Sequence, residues 1–185
     1  MVIGTWQNIE YISRTIVIGD IESDTINPII EYILHINHND KLNIENDKNY
    51  KPQPIKLMIN SYGGEIYYAL GLCDIIEKSI TPIHTYGIGA VMSSGFLIFM
   101  YGKQRFAYKN CTFMYHQVST KFEGKLKGQE ADLKECKRLQ ALYDKAVVSK
   151  CKLTQKQLEA VNTTHKDWFF DSKEALKYKI IEKIL

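Results

Sequence analysis

This 185-residue chain has no run of like charge, no paired cysteines and no long apolar segment, and each absence removes a class of function. Its 24 basic and 21 acidic residues leave a formal charge of +3, and the lysines are scattered. Neither a nucleic-acid-binding stripe nor a polybasic membrane anchor is therefore expected, so nucleic acid and membrane drop out as partners. The four cysteines, Cys73, Cys111, Cys136 and Cys151, form no C-x-x-C pair and no metal-finger spacing. They read as reduced thiols, which suits a cytoplasmic protein with no disulfide framework. The longest apolar stretch, Ala90 to Tyr101, carries two serines and a glycine and is far shorter than the roughly 20 residues of a membrane span. The opening "MVIGTWQNIEYISR" lacks the basic-then-apolar succession of a secretory leader. There is no internal repeat and no low-complexity tract.

What remains is 45% hydrophobic and 24% charged, enough for one globular domain over 1–185. "TIVIGDI" (15–21) is β-branched and reads as a buried strand, followed by a helix capped at Ser23 or Asp24 with Ile26, Ile29, Ile30, Ile33 and Leu34 at helical spacing. The polar stretch 37–53 reads as an exposed insertion loop. "IKLMIN" is a second strand, "SYGGE" a tight turn and "IYYALGLCDIIEK" a helix. "PIHTYGIG" is a third strand, ending in a glycine turn before the apolar "SSGFLIFMYG" helix. Short strands "QRFAY" and "CTFMYH" follow, then a long helix from about Gln129 to Lys150, with Leu133, Cys136, Leu139, Leu142, Tyr143, Ala146 and Val147 on a broad apolar face. Thr154 with Gln157, and Asp171 with Glu174, have capping-box spacing. Strand and helix alternate, which predicts an α/β fold with a parallel twisted sheet and right-handed crossovers.

In such a sheet ligands gather at the carboxyl ends of the strands, and here both "NSYGGE" and "YGIGA" belong at that mouth. Gly87-x-Gly89 invites a dinucleotide reading, but Met92 stands where the third glycine is needed and Lys109 where an acidic ribose contact is expected. Acyl chemistry fits better. It requires a hydroxyl at a helix start, where backbone N–H groups can receive an oxyanion, plus a base and an acid that orients the base. Ser93 and Ser94 both meet the first condition, although a serine there can equally be a simple helix cap. His116 ends an apolar strand and so lies at the mouth. His35 and His38 sit at metal-like i, i+3 spacing on a polar helix end and read as solvated; His84 lies within a strand and His165 in a polar loop. Asp167 precedes an aromatic cluster and should be half buried, whereas Asp171 is already used as a cap, which makes Asp167 the better orienting acid.

Five segments, "KLMINSYGGEIYYALGLCDII", "GIGAVMSSGFLIFMYGKQRFA", "CTFMYHQ", "GQEADLKE" and "KDWFFDSKEALKY", together resemble the proteolytic subunit family of the Clp protease, in the ClpP/crotonase superfamily. The likeness runs in order over about residues 14 to 183. It implies a spiral of βαβ units with a protruding helical handle at 129–150. The family's nucleophile falls on Ser93, its base on His116, its acid on Asp167, and its oxyanion donors on the backbone N–H groups of Gly64 and Ser94. No metal and no cofactor is implied. The resemblance further implies an ATP-dependent serine endopeptidase acting on peptides and unfolded proteins, self-association into stacked heptameric rings, and an AAA+ unfoldase partner. Three departures stand out: Tyr62 replaces a proline in the glycine turn, Phe96 an alanine after the nucleophile, and Trp168 an arginine after the acid. Tyr62 and Trp168 motivate another reading, a structural ring subunit with weak catalysis; the divergent N-terminus motivates a phage or plasmid processing protease needing no unfoldase, and the shared fold with paired oxyanion amides a crotonase-like acyl-CoA enzyme.

Overall fold

The computed structural model describes residues 13–119, 126–164 and 166–185. The first twelve residues and His165 lie outside them, as do the corresponding expectations about the leader and that histidine. The elements are β1 (Thr15–Ile18), α1 (Ser23–Asn46), β2 (Ile55–Ser61), α2 (Ile66–Lys78), β3 (Ile83–Met92), α3 (Ser94–Met100), β4 (Gln104–Ala107), β5 (Thr112–Tyr115), α4 (Leu126–Lys150), α5 (Gln155–Thr164), β6 (Trp168–Asp171), α6 (Ser172–Lys177) and β7 (Lys183–Ile184). Strands β1, β2, β3, β4 and β7 form one parallel path, while β5 joins β3 in parallel and β6 joins β5 antiparallel.

Strand β3 changes neighbours along its length. His84 to Gly87 pair with β4, and Ala90 to Met92 pair with β5. The change occurs at a bulge, where Ile59 pairs with Gly87 but Ser61 with Val91. Gly89 sits in the bulge at φ +60°, and any Cβ there would meet the Asn60 carboxamide oxygen at 2.5 Å. That oxygen accepts the Ala90 N–H at 3.0 Å. "YGIGA" is therefore not a turn ending the strand, as its glycines suggest; it is a kink within it, and β3 continues to the residue before Ser93.

The polar stretch 37–53 also departs from expectation, because α1 runs through it to Asn46 and only the remainder is loop. Ile33, Ile36 and Asp40 fall on the buried side of this helix. Asp40 is held by the Arg14 guanidinium at 2.6 and 2.8 Å, by the Thr81 hydroxyl and by the Tyr50 hydroxyl at 2.7 Å. Tertiary bonds thus carry a helix that Asn and His residues favour only weakly. Its cap falls on Glu22, one residue before Ser23, with the Thr25 hydroxyl accepting the Glu22 N–H at 3.1 Å.

Helix α4 begins at Leu126, slightly earlier than Gln129, and from Gly128 onward its first buried position is Leu139. Leu133 and Leu142, expected on its apolar face, are exposed. Its first half therefore projects from the body as a handle, while Tyr143, Ala146 and Val147 anchor the second half in the core. Phe96 of α3 is fully buried, edge-on to Phe113 and Phe170. It fills the space between α3 and the β5–β6 pair. The Thr154–Gln157 capping box forms in both directions, whereas at α6 the Asp171 carboxylate caps the N–H groups of Lys173 and Glu174 without a reciprocal box.

Candidate active site

Ser93 occupies the one-residue link between β3 and α3. Its backbone takes φ +53°, ψ −127°, a region a side-chain-bearing residue enters only when its surroundings enforce it. Three bonds do so: the Ser93 N–H donates to Met114 O at 3.0 Å, while the Ser93 carbonyl accepts from Leu97 N–H at 3.1 Å and from the Tyr143 hydroxyl at 2.8 Å. The sharp turn lifts the half-buried Ser93 side chain out of a fully buried helix. Its Oγ lies 2.7 Å from His116 Nε2. His116 is the first residue past β5, and because β5 pairs with the end of β3, the two groups come together although 23 residues separate them.

The glycine turn after β2 forms the other wall. Gly63 and Gly64 have φ of +110° and +146°. A Cβ on Gly63 would lie 2.7 Å from Ser93 Cβ, and one on Gly64 would lie 2.3 Å from Ile21 O, so both positions exclude a side chain. The turn is bound to the segment after β1, with Ile21 N–H donating to Gly63 O at 3.2 Å and Glu65 N–H to Ile21 O at 2.8 Å. The Ser94 hydroxyl donates to Gly64 O at 3.0 Å, tying the turn to the start of α3. Among the described residues, neither the Gly64 nor the Ser94 N–H donates to the protein. Two backbone donors therefore remain for a ligand oxygen beside Ser93.

These groups line an open cleft of about 740 Å³ between the turn, α3 and α4. Ser93, Ser94, Gly64 and His116 all reach it. Asp167 does not match its expectation fully. It is exposed rather than half buried, and it lines a neighbouring cavity together with His116, but no hydrogen bond or ion pair joins the two. The β5–β6 ladder explains its position: Tyr115 pairs with Trp168 in its last rung, so one further antiparallel rung would set His116 against Asp167. Tyr143 is a site residue that the sequence pattern presented only as part of an apolar helix face; burial pushes its phenol well above the ordinary value, which keeps it a neutral donor. Among the described residues, His35, His38 and His84 do not reach this cleft. The His35 ring meets Asn39 at 3.1 Å on α1, and His84 lies within β3. Among the described residues no cluster of three metal-ligating side chains occurs, and no helix is long and apolar enough to cross a membrane.

Comparison with known proteins identifies the family to which this fold belongs. A family model described as Clp protease matches residues 7–185. The ATP-dependent Clp protease proteolytic subunit of Deinococcus radiodurans is 29% identical over 175 residues, covering 93% of this chain and 80% of that protein. Proteolytic subunit 1 from Prochlorococcus marinus is 28% identical over 177 residues, covering 93% and 83%. Among solved structures, a ClpP1 mutant from Listeria monocytogenes superposes with a TM-score of 0.78 at 22% identity, covering 93% of this chain and 91% of the other, which shows the shared fold. The chain belongs to the Clp protease family and is a serine endopeptidase.

Proposed function

We propose that Ser93 is the nucleophile, His116 the general base and acid, Asp167 the acid that orients the histidine, and the Gly64 and Ser94 N–H groups the oxyanion donors. The observation that carries this reading is the 2.7 Å contact between Ser93 Oγ and His116 Nε2 at the head of a helix, beside two backbone N–H groups without protein acceptors. In the first step Ser93 Oγ attacks the scissile carbonyl carbon while its proton passes to Nε2. The carbonyl oxygen becomes an oxyanion between the two N–H groups. The imidazolium then gives its proton to the departing amine nitrogen, the C–N bond breaks, and an acyl-enzyme remains. Water, deprotonated by His116, releases the carboxylate product and restores Ser93.

Asp167 supports its assigned role through register: closing one more rung of the β5–β6 ladder brings its carboxylate toward His116. The exposed Leu133 and Leu142 on the handle fit burial against another copy of the chain, as in stacked heptameric rings that enclose the cleft. Peptides and unfolded proteins are then the substrates, and an AAA+ unfoldase the natural cytoplasmic supplier. The Ser93–His116 contact favours a catalytic subunit over a silent structural one, because a silent subunit needs neither the contact nor the strained turn. A fluorophosphonate probe tests the assignment on the assembled protein. The adduct is expected on Ser93, with peptide hydrolysis lost in Ser93→Ala and reduced about 10²-fold or more in Asp167→Ala; an adduct on Ser94, or none, overturns it.

A further inference from the structure

His116 lies just beyond the last rung of β5, where no ladder bond fixes the backbone, yet its ring must meet Ser93 within a fraction of an ångström for proton transfer. We propose that Gln140, oriented by the buried carboxylate of Asp144, is a positioning residue that clamps the chain on both sides of His116 and so holds the imidazole against Ser93. The inference rests on the reading of Ser93 and His116 as the reacting pair.

The Gln140 carboxamide accepts the Val118 N–H at 2.7 Å through Oε1, two residues after the histidine. Its Nε2 donates to the Tyr115 hydroxyl oxygen at 3.0 Å, one residue before the histidine, and to Asp144 Oδ1 at 2.7 Å. The Tyr115 hydroxyl in turn donates to the same Asp144 oxygen. One side chain on α4 thus joins both flanks of His116.

Asp144 gives the clamp its polarity. Its Oδ1 accepts from both the Tyr115 hydroxyl and Gln140 Nε2, so this oxygen faces the NH₂ end of Gln140. That leaves the C=O end toward Val118, whose N–H can only donate. A flipped amide would set donor against donor at Val118 and oxygen against oxygen at Asp144. The carboxylate is 3% exposed and has no cation within ion-pair distance among the described residues. Neutral donors hold it instead, including Gln155 Nε2 at 3.2 Å on Oδ2. A buried carboxyl group held only by neutral partners is costly to retain, and replacing it with an apolar residue would be the simpler way to fill the core. An acceptor that fixes the Gln140 amide gives that carboxylate a purpose.

The test uses the full chain, with native mass, thermal midpoint, peptide kcat and KM, and the rate of fluorophosphonate labelling at Ser93 as readouts. Gln140→Met keeps the length of the side chain and removes every bond. It is expected to lower kcat and the labelling rate about tenfold or more, with KM within about twofold and native mass unchanged. Asp144→Ala should act alike, and the double variant should be no worse than the more damaged single one, because the two act as a unit. Asp144→Asn, which can still present Oδ1 to Tyr115 and Gln140, should recover most of the activity. Asp40→Asn, which weakens the α1 anchor formed with Arg14, Tyr50 and Thr81 and touches no residue of this cluster, serves as a control for lost stability and should keep kcat. If Asp144→Ala does not fold, Gln140→Met and Asp144→Asn still decide. A lowered thermal midpoint with unchanged kcat and labelling in Gln140→Met overturns the clamp alone. Wild-type protein that is not labelled at Ser93 overturns the reading of the reacting pair, and the clamp with it.

Discussion

The Tyr143 hydroxyl donates a 2.8 Å hydrogen bond to the carbonyl oxygen of Ser93, so a residue 50 positions further along the chain supports the strained turn that carries the proposed nucleophile. Tyr143 is 2% exposed, and its ring also packs against Tyr115 at 5.2 Å. Tyr143→Phe keeps the ring and removes the donor. A hydrogen bond of this kind contributes about 1 kcal/mol, so kcat should fall roughly fivefold while the packing is retained. Steady-state kinetics with a fluorogenic peptide, alongside the thermal midpoint, checks the expectation.

The glycine turn should tolerate no side chain. At Gly64 an added Cβ would press on the Ile21 carbonyl, and the φ of +146° is one that alanine rarely adopts. The turn must then shift, and with it the Gly64 N–H. Removing one oxyanion donor elsewhere costs about 10²–10³ in rate, and Gly64→Ala should lose a similar factor in kcat. At Gly63 the added atom would sit 2.7 Å from Ser93 Cβ, so Gly63→Ala should also slow the labelling of Ser93. A Gly63→Ala protein labelled at the wild-type rate would contradict this packing.

Local pattern revealed most of this architecture, and its failures have physical causes. The βαβ order, the long helix α4 and the glycine turn follow from periodicity, and the chemistry an acyl transfer requires points to Ser93, Ser94 and His116 at one mouth; the handle and the choice of Ser93 over Ser94 are what the family resemblance implies. The second half of α1 did not, because Asn37, His38, Asn39 and Asn43 resemble a loop and the deciding interactions come from Arg14 and Thr81, far along the chain. The glycines of "YGIGA" look like a turn, yet they form a bulge because β3 must leave β4 for β5, a partner that local sequence cannot specify. Neither the phenol of Tyr143 nor the carboxamide of Gln140 stands out in an amphipathic helix. Both gain their roles only when α4 lies across the ends of β3 and β5. Asp167 was placed near His116 in kind, but its exposure depends on where the β5–β6 ladder ends.

Acid should weaken the α1 anchor. Burial pushes the Asp40 carboxyl up, but the bonds from Arg14, Thr81 and Tyr50 outweigh it and hold the group below its ordinary value. A carboxyl lowered on folding contributes stability above its unfolded pKa of about 3.9, and that contribution is lost as pH falls through this value toward the folded one. Thermal midpoints measured from neutral pH downward should therefore drop below about pH 4, and Asp40→Asn should flatten that drop while lowering stability at neutral pH. An acid limb of equal steepness in both proteins would remove Asp40 from the account.

Adjacent serines in "GIGAVMSSGF" should separate cleanly. Ser93→Ala removes the hydroxyl that meets His116 and should abolish both labelling and hydrolysis. Ser94 supplies a backbone N–H that survives substitution, so most of the chemistry should survive in Ser94→Ala. Its hydroxyl nevertheless has work in the fold, since it donates to Gly64 O at 3.0 Å and so couples the two proposed oxyanion donors. Ser94 is 4% exposed, and without its hydroxyl the Gly64 carbonyl loses that donor. The expected outcome is a Ser94→Ala enzyme that labels at Ser93 but turns over several-fold more slowly, about the factor one hydrogen bond provides. KM should stay near wild type, because the donors act on the charge that develops during reaction rather than on the bound peptide. Wild-type kcat in Ser94→Ala would mean that the turn holds its place without this bond, and a complete loss of labelling would move the nucleophile to Ser94.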